Sequence, residues 1–122
     1  MTIIEQIVSL LQADAALQAL INGKIYPFSV PLEALPAIVY TFTPSIDDGI
    51  KEQNKLEIRI ITRDYQQGLA IDSAVRRILL TIGDKPLNNS ILSASLNGGG
   101  TLQDTASGLI HMFTFYNLLN RK

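Results

Sequence analysis

Lys55 to Arg63, KLEIRIITR, places Leu56, Ile58 and Ile60 at every second position, with Glu57 and Arg59 between them. Side chains of a strand point alternately to its two faces, so this stretch predicts a strand with one face buried and the other open. A slip of one residue would turn the whole apolar set to water, which fixes the register of its neighbours. Ala37 to Thr43, AIVYTFT, is β-branched and aromatic and is bracketed by Pro36 and Pro44, so it predicts a second strand. Between the two, residues 44–54 (PSIDDGIKEQN) read as a polar hairpin loop, which makes the pair antiparallel.

The sheet needs a cover, and two helical patterns can supply it. Thr2 followed by Glu5 has the form of a capping box, after which Ile3, Ile4, Ile7, Val8, Leu10 and Leu11 recur at helical spacing. Asp14 either re-caps or kinks this run before Leu17, Leu20 and Ile21 continue it, and Asn22-Gly23 ends it. Asp64 with Gln67 resembles another capping box, and Leu69, Ile71, Val75, Ile78, Leu79 and Ile82 then mark one face of a second helix, stopped by Gly83 and Pro86.

Lys24 to Phe28 is too short and too close to Pro27 and Pro31 to be anything but an edge strand. Ile91 to Asn97 and Leu109 to Leu119 predict two further strands, joined by a glycine-rich loop over residues 97–108. The expected order is α-β-β-β-α-β-β: one α+β domain over residues 1–122, with a mixed, mostly antiparallel sheet of four to five strands and two helices on one face. The last strand is apolar on both sides, Ile110, Met112 and Tyr116 against Leu109, Phe113 and Phe115, so part of the second face is expected to seek a partner. Glu57, Arg59 and Ile61 fall on that face and are the candidate subunit contact. Asp47, Asp48, Lys51 and Glu52 in the first loop, and Gly98, Gly99 and Gly100 in the second, are candidate assembly contacts. Both loops are expected to be mobile until assembly orders them.

Composition excludes more than it proposes. Ten Lys and Arg against eleven Asp and Glu leave a net charge of −1, so no global field draws nucleic acid or an anionic membrane. Cysteine is absent, which removes thiol catalysis, disulfides and cysteine-ligated metal. No stretch approaches the roughly 20 apolar residues of a membrane span, and Glu5 stands where a secretory signal would be basic, so a cytosolic product is expected. His111 is the one histidine, which rules out a two-histidine zinc site by count. Asp47, Asp48 and Glu52 lack the alternating ligand spacing of a calcium loop, and the glycine triplet lacks the lysine and helix of a phosphate loop. Arg76-Arg77 and Arg121-Lys122 are ordinary solvated pairs. No enzyme, cofactor or metal site is expected.

Three stretches, LLQADAALQALINGKIYPFSVPLEALPAIVYTF, LEIRIITRDYQQGLAIDSAVRRIL and HMFTFYNL, together resemble the small tail-terminator, or tail-completion, proteins of long-tailed bacteriophages. The resemblance rests on Asp14, Gly23, Ile25, Tyr26, Pro27, Pro36 and Tyr40 and covers most of the chain. It implies a non-enzymatic virion protein that assembles as a hexameric ring on the end of the tail tube. Such a ring stops elongation and offers a surface for head-to-tail joining. The implied partners are further copies of the chain, the tail-tube protein, the head-tail connector and DNA contacted without specificity in the channel. The implied locations are the host cytoplasm during assembly, then the phage or prophage tail. Head-to-tail connectors and minor tail proteins have similar sizes and folds and stay open as an alternative. So does a small-molecule-binding regulatory α+β module, which also sets helices on one sheet face.

Overall fold

The computed structural model describes residues 2–28, 35–80 and 91–121. Five strands form one mixed sheet in the order β1-β2-β3-β5-β4, with β1 Ile25–Pro27, β2 Ala37–Asp47, β3 Lys51–Thr62, β4 Ile91–Gln103 and β5 Ile110–Arg121. Only the β1–β2 pair is parallel. Helices α1 Ile3–Ala13, α2 Ala15–Ile21 and α3 Tyr65–Leu80 complete the α+β fold. The short edge strand, the antiparallel β2–β3 pair and the placing of three strands before α3 and two after it match the sequence reading.

Register explains the core. Ile38, Ile60 and Met112 lie side by side across β2, β3 and β5, as do Phe42, Leu56 and Tyr116 two inward-facing rows along. These residues, with Ile58 and Leu118, meet Ile7 and Leu11 of α1, Leu17 and Ile21 of α2, and Ile71, Val75 and Leu79 of α3 in one cluster. Leu56, Ile58 and Ile60 are all at or below 1% exposure, so the alternation in β3 does turn one set inward.

The expected first helix is two, which makes three helices rather than two among the described residues. Asp14 has an extended backbone and its carboxylate accepts from the Leu17 N–H at 2.9 Å, so it starts α2 afresh at 85° to α1. Arg77 of α3 donates to both oxygens of the same carboxylate at 2.9 Å. The Leu17 N–H, and after it Arg77, holds the Asp14 carboxyl below its usual value of 3.8. Because the folded-state value is the lower one, this contribution is whole above the ordinary carboxylate range and fades as pH falls through the folded value. Asp14→Ala is expected to lower the thermal midpoint at pH 7, with the gap to wild type closing under strong acid. Melting both proteins by circular dichroism from pH 7 to pH 2.5 checks it.

Three boundaries differ from the sequence reading. The hairpin loop expected over residues 44–54 shrinks to a turn at residues 48–50, because β2 continues to Asp47 and β3 starts at Lys51. Pro44 is tolerated inside β2 because β1 pairs only with Ile38 to Tyr40, which leaves that flank without a β1 partner, and the register shifts between Pro44 and Ile46. The glycine triplet belongs to β4 and not to a loop. A Cβ on Gly99 would lie 2.5 Å from the Phe113 carbonyl oxygen, and one on Gly100 3.2 Å from the Phe113 ring, so close approach, not flexibility, accounts for glycine there. Of the two stretches expected to be mobile, residues 45–54 and 97–108, most is therefore strand, with a turn at residues 48–50 and a bulge at residues 97–98, and only residues 104–109 connect β4 to β5.

On α3, Leu69 is 38% exposed, and Gly68 and Ala74 are buried in its place. The expected capping box opens differently: Asp64 accepts from the Gln66 N–H at 3.0 Å, while the Thr62 hydroxyl contacts the Gln67 side-chain oxygen at 3.3 Å. Ile82, Gly83 and Pro86, read as the end of this helix, and Pro31 lie outside the described residues.

Candidate functional site

With all three helices on one side, the odd-numbered residues of β3 and β5 form the floor of the other. Glu57 stands opposite Phe115, Arg59 opposite Phe113 and Ile61 opposite His111. Arg59 Nη2 is 3.2 Å from Glu57 Oε1, and its guanidinium lies 5.5 Å from the centre of the Phe113 ring. Phe113 meets Phe115 edge-on at 5.9 Å between centroids. An ion pair this open to water contributes little to stability, about 0–1 kcal/mol. Its arrangement instead sets a cation and an anion beside two aromatic rings in one half-buried row, and arginine and aromatic rings are residue types that protein interfaces favour.

The floor is graded along its length. At one end Val39, Ile61 and Leu109 pack together with Leu35 against them, each of the three below 9% exposed. Ile61, expected as a contact residue, is thus covered within its own chain, and the candidate contact reduces to Glu57 and Arg59. At the other end Gln53, Lys55, Ser93, Ser95, Asn97 and Asn117 line an open groove of about 510 Å³. Phe113 and Phe115 belong to the site as much as Glu57 and Arg59 do. Their alternation with Met112 and Tyr116 was the signal that placed them on this face.

The two groups of expected assembly contacts lie apart. Asp47 Oδ1 accepts from the Gly49 N–H at 2.8 Å, and Asp48 Oδ1 accepts from the N–H groups of Ile50 and Lys51 at 2.9 and 2.7 Å. The Lys51 and Ile50 donors hold the Asp48 carboxyl below its ordinary value. These carboxylates shape the turn, which leaves Ile50 at its tip 75% exposed. Glu52 reaches the Asn120 side-chain nitrogen at 3.4 Å, beside a buried Asn54–Asn120 hydrogen bond of 2.6 Å. Gly99 and Gly100 sit midway along β4, opposite Thr114 and Phe113, and Gly98 lies in the adjoining bulge.

Reactive groups are held rather than poised. Asp72 on α3 accepts from Arg76 Nε at 2.8 Å and from the Thr114 hydroxyl at 3.2 Å, so its lone pairs are committed to structure. Burial, reinforced by the nearby Asp72 carboxylate, pushes the Tyr116 phenol far up, which keeps it protonated. Its hydroxyl reaches no hydrogen-bond partner among the described residues, and neither does His111 Nδ1. An unpaired buried hydroxyl costs about 1–3 kcal/mol, so Tyr116→Phe is expected to raise stability by about 1 kcal/mol. A urea midpoint that falls instead would contradict this. Among the described residues no group of three or more His, Asp or Glu side chains gathers to hold a metal.

No protein-family description and no curated protein matches the chain. Its fold is similar to that of a chain in the virion of a native gene transfer agent particle, with a TM-score of 0.71 and 17% sequence identity, over 95% of this chain and 92% of that one.

Proposed function

We propose that this is a structural protein of a phage-like virion, working as a tail terminator: a ring of copies seated on the end of the tail tube, ending its growth and presenting a surface for head joining. The observation that carries the reading is a fold in common with a virion chain over nearly the full length of both. The residues that the tail-terminator resemblance rests on point the same way. The half-buried row of Glu57, Arg59, Phe113 and Phe115 on the open side of the sheet is the face we assign to the neighbouring copy in the ring. Ending polymerisation requires no bond to be made or broken, only one surface that binds the tube and another that refuses the next tube subunit. That requirement suits a site whose carboxylates and phenol are committed to structure.

Negative-stain electron microscopy of the purified protein, alone and mixed with tail tubes, tests this. Rings with a central channel, capping tube ends, are expected. Tubes that bind no protein at their ends, or that bind it along their sides, would contradict the assignment. A connector would instead be found on the head portal, so the site of binding separates the two roles.

A further inference from the structure

We propose that β4 is a pairing edge for a second copy of this chain, joined antiparallel about a two-fold axis at Thr101. The two edges of the sheet are unlike. On β1 the Ile25 N–H is taken by the Gly23 carbonyl, Pro27 has none, and Lys24 and Phe28 turn their backbone groups to β2, so among the described residues that edge offers no donor. β4, ILSASLNGGGTLQ, is the opposite edge, 13 residues long, with neither a charged residue nor a proline to discourage pairing. Residues 95–103 are all exposed, so no described part of the chain covers this stretch.

The bulge between Leu96 and Gly99 interrupts regular pairing, which confines it to Gly99 to Gln103. Within this stretch the open face carries a hollow and a knob. Gly100 has no side chain and lies against the Phe113 ring, and Leu102, two residues on, is 56% exposed. Both belong to the same face, since Gly100 stands opposite Phe113 and Leu102 opposite His111 on β5. Antiparallel pairing centred on Thr101 sets Leu102 of each copy directly across from Gly100 of the other, against its Phe113 ring. It also sets Thr101 against Thr101 and Gly99 against Gln103 on the helix side, so every pair keeps its face. The strand is therefore complementary to itself in one register, with no like charges to repel.

A two-fold contact closes on itself and builds no ring, and because it draws on Phe113, which the ring contact proposed above also uses, it belongs to the free protein and gives way when the ring forms. It is a way for the free protein to cover an edge that would otherwise recruit strands indiscriminately.

Sedimentation velocity of the full chain over a concentration series, with hydrogen exchange at residues 99–103, tests the pairing. The expected result is a reversible monomer–dimer equilibrium with protection of alternate amides in that stretch. Leu102→Glu and Leu102→Lys should each weaken dimerisation about tenfold or more, because the two 102 side chains lie diagonally, roughly 7–8 Å apart. An equimolar mixture of the two variants should restore it. Wild-type protein that stays monomeric, a dimer unaffected by either variant, or protection at residues 99–103 that arises only with a different protein would overturn the proposal. Tail completion reads the terminator role independently of all these outcomes.

Discussion

Ile58→Asp is expected to abolish the cooperative unfolding transition, whereas Arg59→Glu, one residue further along the same strand, leaves it in place. Ile58 is 1% exposed at the centre of β3, between Tyr40 and Thr114 on its two neighbours. Removing it forfeits about 1.5–3 kcal/mol of apolar burial. The carboxylate put in its place would stand among the apolar side chains of this cluster, and burying a lone charge costs more than the lost burial. Against a total stability of about 5–15 kcal/mol, the two together are enough to unfold the domain. At residue 59 the new charge keeps access to water beside Glu57, where the loss of the ion pair and of the Phe113 contact costs about 2 kcal/mol or less. If the open face is the ring contact, Arg59→Glu should fold normally and fail to complete tails. Circular dichroism and an assay for finished tails read the two outcomes separately. A folded Ile58→Asp protein would contradict the assigned register.

Gly68→Val is expected to destabilise by about 1–3 kcal/mol, the usual cost of forcing extra methyl groups into a packed core. Glycine is a poor helix former, by roughly 1 kcal/mol against alanine, so a glycine in the first turns of α3 calls for a reason. The reason is contact: a Cβ there would lie 2.6 Å from Met112 Sδ and 3.0 Å from Thr62 Cγ2. Gly68→Ala asks only the end of the flexible Met112 side chain to move, and its helix propensity offsets part of that. Valine adds two more carbons where Thr62 is fully buried and β5 lies beneath. The urea midpoints should therefore fall in the order glycine, alanine, valine, or with alanine level with glycine. Valine equal to wild type would show that α3 does not approach the sheet this closely.

What was legible in the sequence was whatever a period could carry. The alternation in KLEIRIITR and in HMFTFYNL assigned the central residues of β3 and β5 to their faces, which is how Glu57 and Arg59 came to stand beside Phe113 and Phe115 on the open floor. Backbone interactions that reach across the fold were not legible. The glycine triplet has the composition of a flexible loop, and only the Phe113 backbone and ring against Gly99 and Gly100 turn it into strand. Pro44 looked like a strand terminator because nothing local says that β1 is too short to pair beside it. Ile61 has the same period as Glu57 and Arg59, but Val39 and Leu109, distant in sequence, cover it.

The terminator assignment is tested most directly by deleting the coding sequence of this chain in the strain that produces the particles, then measuring tail lengths by electron microscopy. Headless tubes of irregular and excessive length are expected, returned to uniform, head-bearing tails by the wild-type chain and not by Arg59→Glu. Tails of normal length, with heads attached in the absence of the chain, would contradict the assignment.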